Sequence, residues 1–161
     1  MIEGTKVANS FERIYASSFY YDRNVAVWPA QVVNYTNKTQ FIYRINKGIL
    51  NVVDDSVNDS MPHEDRPVPM TNMIYIGDSG TDIPCMRLVM KSGGYSIGIF
   101  QQDNKSREYL KKLLSQNRIN YIVESDYSKN SELENVVKEI IQAVKHKDNL
   151  KNFTKKHKEN I

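Results

Sequence analysis

Short apolar runs alternate with longer amphipathic stretches through the second half of the chain. Residues 73–76 (MIYI), 95–100 (YSIGIF) and 120–124 (NYIVE) are strand-length and largely apolar, the pattern of strands buried on both faces. Stretches of helical period lie between and after them. One begins at about Thr81, with Ile83, Met86 and Met90 on a single face, Pro84 in the tolerated first turn and Gly93-Gly94 as its stop. Residues 104–115 turn Leu110, Leu113 and Leu114 inward. The last opens with Ser131 and Glu134 at capping-box spacing and carries Leu133, Val136, Val137, Ile140, Ile141 and Val144 on one stripe. This order of strand, helix, strand, helix, strand, helix predicts a parallel sheet with helices on both faces.

The first half is less regular. Residues 12–21 (ERIYASSFYY) predict a strand, Asp22-Arg23-Asn24 a turn, and residues 25–28 (VAVW) the return strand of a hairpin closed by Pro29. Residues 31–35 read as a further extended segment. From Thr39 to Leu50 a helix is expected, because Phe41, Ile45 and Ile49 recur every four residues with Ile42 beside them, and Gly48 weakens or ends its last turn. Residues 51–72 are polar, carry Pro62, Pro67 and Pro69, and read as a loop.

Composition adds bounds rather than a function. A chain of 161 residues, 40% hydrophobic and 25% charged, suits one soluble globular domain. The formal net charge of +3 is uneven, since residues 145–161 hold six lysines against two acids. That stretch reads as a solvated, fraying tail. It lacks the arginine cluster and stacking aromatics of a nucleic-acid surface, so neither nucleic acid nor membrane is expected as a partner. The single cysteine, Cys85, excludes an intrachain disulfide and sits in an apolar helical pattern, which suits packing and a reducing cytoplasm. No apolar run approaches the ~18 to 20 residues that span a bilayer, and the N-terminus lacks a charged-then-apolar signal pattern.

One loop concentrates chemistry. In GDSGTD (residues 77–82), Asp78 follows a strand and Asp82 opens the next helix, with glycines at 77 and 80 allowing a tight turn. In open parallel sheets ligands bind at the carboxyl ends of strands. Two converging carboxylates repel unless a cation intervenes, and hard oxygen ligands suit Mg²⁺, which takes one or two carboxylates plus waters and phosphate oxygens. The alternative is that Asp82 only caps its helix and Asp78 decorates a turn.

The stretch MIYIGDSGTDIPCM resembles motif IV of the haloacid dehalogenase (HAD) superfamily, and GGYSIGIF resembles the strand that follows it. NKTQFIYRINKG resembles motif III, with Lys38 at the position of its lysine. RIYASSFYYDRNVAVWPAQVV resembles the strand and hairpin that precede motif III in phosphoserine-phosphatase-like members. The resemblance covers about residues 1–130. It implies a Rossmann-like α/β core, a Mg²⁺-dependent phosphomonoester hydrolase, and a small phosphorylated metabolite as substrate. It implies further that Asp78 and Asp82 hold the metal, and that Lys38 is catalytic and phosphate-binding through the charge it offsets. Lys47, further along the same helix, reads as solvated, and Ser79 falls at a variable position and receives no role.

The same family uses an Asp-x-Asp nucleophile motif and a phosphate-binding Ser or Thr. No Asp-x-Asp occurs in this sequence; Asp54-Asp55 is adjacent and polar in context. Measured against the family, the chain reads as a truncated or split product: a partial core over residues 1–144, without central strands and cap, then a tail over 145–161. It is expected to be inert alone, to expose an unpaired edge on the strand at 73–76, and to have a complementary N-terminal fragment as a partner. A second reading is a non-catalytic remnant that keeps a metal or phosphate site. A third takes Ser79 in GDSG as a serine-hydrolase nucleophile, but His63, His146 and His157 lie in a polar loop and a basic tail without an orienting acid pattern.

Overall fold

The computed structural model describes residues 2–159. The chain divides into two compact units, Met1–Pro67 and Val68–Ile161.

In the first unit, β1 (Ser18–Asp22) and β2 (Val25–Gln31) form an antiparallel hairpin. Arg23 and Asn24 both take left-handed backbone angles (φ 47° and 67°), the geometry that matches a two-residue turn to strand twist. The expected strand at residues 12–21 is shorter in the structure. Ser18 pairs with Gln31, the last residue of β2, so earlier residues have no partner strand there. Pro29 lies inside β2 rather than closing it, which a two-stranded ribbon permits because both strands are edges. Beyond Gln31 the chain does not continue as a strand. It turns at Asn34, whose carbonyl accepts from the N–H groups of Asn37 (3.2 Å) and Lys38 (3.0 Å).

The helix α1 (Lys38–Lys47) ends at Gly48, which adopts φ 70° and donates its N–H to Arg44 and Ile45 carbonyls. Its buried residues are Phe41, Ile42, Arg44 and Asn46, while Ile45 is exposed. The fourfold apolar row therefore turns inward at Phe41 but not at Ile45. The reason is polar: the following loop lies along Arg44. Its guanidinium donates to the carbonyls of Asn51 (2.6 Å), Asp54 (2.8 Å) and Val52 (2.9 Å). Arg66 joins Asn46 Oδ1 (3.0 Å) to the Met61 carbonyl. Lys47, expected to be solvated, instead donates Nζ to the carbonyls of Val57 (2.7 Å) and Asp59 (2.5 Å). Charge-assisted donors thus satisfy loop carbonyls that have no ladder or helix to enter.

In the second unit, β3 (Ile74–Gly77), β4 (Tyr95–Phe100) and β5 (Tyr121–Glu124) form a parallel sheet in the order β3-β4-β5. They alternate with α2 (Ile83–Lys91), α3 (Asn104–Ser115) and α4 (Glu132–Glu159). The unit is therefore a mixed α/β structure. The pleat divides the side chains. Ile83 and Met86 of α2 join Leu110 and Leu113 of α3 against Tyr75, Phe100 and Ile122. On the other face, Leu133 and Ile140 of α4 pack with Ile97, Ile99 and Val123. Successive crossovers of one hand in one direction put α2 and α3 on the same face.

Burial along the strands follows their rank in the sheet. The interior residues of the middle strand β4 are buried. In β3, expected to be covered on both faces, Ile76 is 41% exposed, because β3 is an edge of this sheet with β4 as its neighbour. Ser131 Oγ accepts from Glu134 N–H (3.2 Å), but the Glu134 carboxylate accepts from Asn130 rather than from Ser131, so the expected capping box is half made. Ile141, placed on the apolar stripe by its spacing, is exposed. The basic stretch from residue 145 continues α4 without a break to Glu159. Among the described residues no helix is long and apolar enough to cross a membrane.

Two glycines set how closely these layers approach. A Cβ on Gly94 would lie 2.3 Å from the Met70 carbonyl oxygen and 2.7 Å from Val89 Cγ1, whereas one on Gly98 would meet Leu110 Cδ2 at 2.8 Å. A leucine terminus can shift and a backbone carbonyl cannot without moving the chain. Gly98→Ala should therefore cost about 1–3 kcal/mol, and Gly94→Ala should cost more. Urea denaturation of both variants checks the order.

Candidate functional site

The GDSGTD loop is built around one buried carboxylate. Gly77 ends β3; Ser79 is extended (φ −128°, ψ 160°); a 3₁₀ turn over Gly80–Asp82 leads directly into α2. Asp82, 6% exposed, turns back toward the strand. Its Oδ1 accepts from the Tyr75 hydroxyl at 2.8 Å. Its Oδ2 accepts from Ser79 N–H at 3.2 Å and from Ser79 Oγ at 2.8 Å. The Asp82 N–H in turn donates to the Ser79 carbonyl at 3.0 Å. With the Ser79 side chain facing the Asp82 N–H and the Asp82 side chain accepting from the Ser79 N–H, the turn is a capping box, extended by the tyrosine into a latch between the end of β3 and the start of α2.

The latch explains the glycine at 77. A Cβ there would sit 2.7 Å from Asp82 Cβ and 3.0 Å from Asp82 Cγ. Only a residue without a side chain lets the carboxylate reach Ser79 and Tyr75 together.

The two acids of the loop therefore differ in state. Asp78 is exposed at the carboxyl end of β3, while Asp82 is committed to internal donors. An exposed carboxylate at a strand end can ligate a hard cation directly. A latched carboxylate sets the loop conformation and adds negative charge beneath it. Among the described residues no group of three or more His, Cys, Asp or Glu side chains is arranged to hold a metal. A hydrated Mg²⁺ does not need such a group, because waters and phosphate oxygens complete its shell. Of the two acids, only the exposed Asp78 stands open to such an ion, because both oxygens of Asp82 accept from Tyr75 and Ser79.

Lys38 belongs to the other compact unit, where it is the half-buried first residue of α1. The preceding Asn37 is held by its own side chain, with Oδ1 accepting from Asn34 N–H (2.8 Å) and Nδ2 donating to the Val32 carbonyl (2.6 Å). Asp78 and Asp82 are thus brought into one loop, and Lys38 is fixed separately by the turn that starts α1. Ser79 Oγ is engaged with Asp82 and, at 2.7 Å, with Thr81 Oγ1; among the described residues no imidazole hydrogen-bonds to it.

Tyr75 is the site residue that sequence reasoning passed over. It reads as one apolar position in MIYI, yet a half-buried phenol needs a partner for its hydroxyl. A tyrosine two residues before the end of a strand and an acid at the start of the next helix were the available signal. Burial, and then donation to Asp82, push its ionisation well above the usual 10.0.

No family model matches the chain, and no solved structure matches it. Among curated proteins it is similar to an uncharacterized protein of Borreliella burgdorferi, with 26% identity over 159 residues, covering 88% of this chain and 53% of that protein. The chain spans about half the length of this relative.

The latch has an alkaline signature. Below pH 10 the Tyr75 hydroxyl is protonated whether the chain is folded or not. Because the folded state holds this proton more tightly, stability from this group falls as pH rises beyond 10.0, where the unfolded chain begins to ionise. Tyr75→Phe should remove that slope, and should cost about 1–2 kcal/mol at neutral pH by leaving a buried carboxylate oxygen without its donor. Urea midpoints of both proteins across the alkaline range check it; equal slopes would separate the phenol from the latch.

Proposed function

We propose that the chain carries the metal- and phosphate-binding part of a HAD-type, Mg²⁺-dependent phosphomonoester hydrolase acting on a small phosphorylated metabolite. In this reading Asp78 ligates Mg²⁺ directly and Asp82 holds the loop and its charge in place. Lys38 offsets the negative charge of the bound phosphate. The observation that carries the reading is the exposed Asp78 at the carboxyl end of a parallel strand, in a turn shaped by Gly77 and latched by Asp82. Mg²⁺, when bound, would neutralise phosphate oxygens and orient the ester. The chain's own residues supply oxygen ligands and a cation.

The sequence has no Asp-x-Asp to attack phosphorus or to protonate a leaving group. The reading therefore assigns hydrolysis to a larger assembly, with a complementary N-terminal fragment seated beside the edge strand β3, whose Ile76 is exposed. A cytoplasmic location belongs to the same reading and is supported by a lone, buried, reduced Cys85. The missing Asp-x-Asp also favours a second reading, in which the site binds metal or phosphate without catalysis.

Calorimetric titration of the chain with MgCl₂ tests both readings at their common root. Binding in the millimolar range is expected, and Asp78→Asn should abolish it, since one of at most two carboxylate ligands is lost. Absence of any Mg²⁺ binding by the wild-type chain removes both. Hydrolysis of p-nitrophenyl phosphate by the chain alone is expected to stay at background. Robust turnover that disappears in Asp78→Asn would overturn the assignment of the nucleophile to another fragment.

A further inference from the structure

The second half of α4 has features of a docking surface that the proposed hydrolase site does not use. The helix packs on the sheet through Leu133, Val136, Val137, Ile140 and Val144. Its last tie to the rest of the unit is Asp148, whose carboxylate accepts from Asn72 Nδ2 at 2.9 Å. From Asn149 to Glu159 every residue is exposed. These turns project about 16 Å beyond that tie, at the α-helical rise.

This exposed segment propagates α4 beyond the turns that pack on the sheet. It carries four of the six lysines found after Val144. Its ion pairs, Lys151 with Asp148 (3.3 Å) and Lys155 with Glu159 (3.9 Å), are solvent-exposed and contribute little. Leu150 (67% exposed) and Phe153 (60% exposed) are its large apolar residues.

Their spacing is informative. His146, Leu150, Phe153 and His157 follow one another at intervals of four, three and four, the alternation that keeps side chains on one seam against a second helix. Lys147 and Lys156 stand at the flanking positions where interhelical ion pairs select a partner. Two copies would bring two lysine-rich helix ends of like charge together, which opposes self-pairing. Two apolar anchors make too narrow a stripe for a membrane-surface helix, and apolar anchors at the centre of the seam are not phosphate contacts.

We propose that the projecting end of α4 is a recognition helix for an acidic amphipathic helical segment of a protein partner. Leu150 and Phe153 are the apolar anchors, and Lys147 and Lys156 meet carboxylates on the partner's flanks. This surface is independent of the Asp78 loop.

The test uses the whole chain and a labelled synthetic peptide of about three heptads, with leucine at the seam and glutamate at the flanks. Fluorescence anisotropy should show saturable binding that weakens as salt rises. Leu150→Ala with Phe153→Ala should weaken it about tenfold or more, the scale of anchor residues. Both residues are solvent-exposed, so the circular dichroism of the second unit should be retained. Lys147→Glu with Lys156→Glu should shift preference to a peptide with lysine flanks. The proposal is overturned if the chain fails to bind the acidic peptide, or if the double alanine variant binds it as well as wild type. Tighter binding to duplex DNA or to anionic vesicles would also overturn it, as would self-association through Leu150 and Phe153.

Discussion

The buried carboxylate of Asp82 is the interaction on which the second unit's working end depends. It joins the strand that precedes it, through Tyr75, to the turn it belongs to, through Ser79, and thereby sets where α2 begins. A buried carboxylate is tolerated when donors surround it. Here a phenol, a backbone N–H and a hydroxyl do so. The absence of a side chain at Gly77 follows from the same arrangement, because the carboxylate's approach leaves no room for one. Asp78 is left outside this closed set, at the strand end, with its charge directed to solvent.

The first unit uses a comparable device with the opposite charge. Residues 51–67 have little regular structure, so their carbonyls need donors from elsewhere. Arg44, Lys47 and Arg66 provide them. A buried guanidinium with only carbonyl partners is costly by itself, but each partner is also a group that would otherwise be unsatisfied. The cost of burying the charge is thus offset by the loop it organises. This is why the inward face of α1 includes Arg44 and Asn46 while Ile45 faces water.

These two devices separate what was legible in the sequence from what was not. Period and length located β4, α2 and α3 closely, since their side chains meet one continuous core. Failures cluster where a polar partner or an edge decides. The Ile45 row lost to Arg44, Lys47 was drawn to two carbonyls, and Ile76 emerged on an edge strand. Ile141 is exposed although it follows a buried Ile140. Of the candidate site, Asp78 and Asp82 were visible as acids at loop spacing, but their different surroundings were not. Spacing does not say which carboxylate turns inward, and Tyr75 looked like one more apolar strand residue.

The sequence by itself determined the alternation of strands and helices, the glycine-bounded acid loop at a strand end, and the basic character of the last helix. These are consequences of local period, backbone freedom and composition. Only the tertiary structure decided that Asp82 is a latch and Asp78 an exposed carboxylate, that β3 is an edge of its sheet, and that the lysine-rich end of α4 projects as helix. Each of these depends on which groups compete for the same donor, the same neighbour strand or the same face, and that competition exists only once distant residues are brought together.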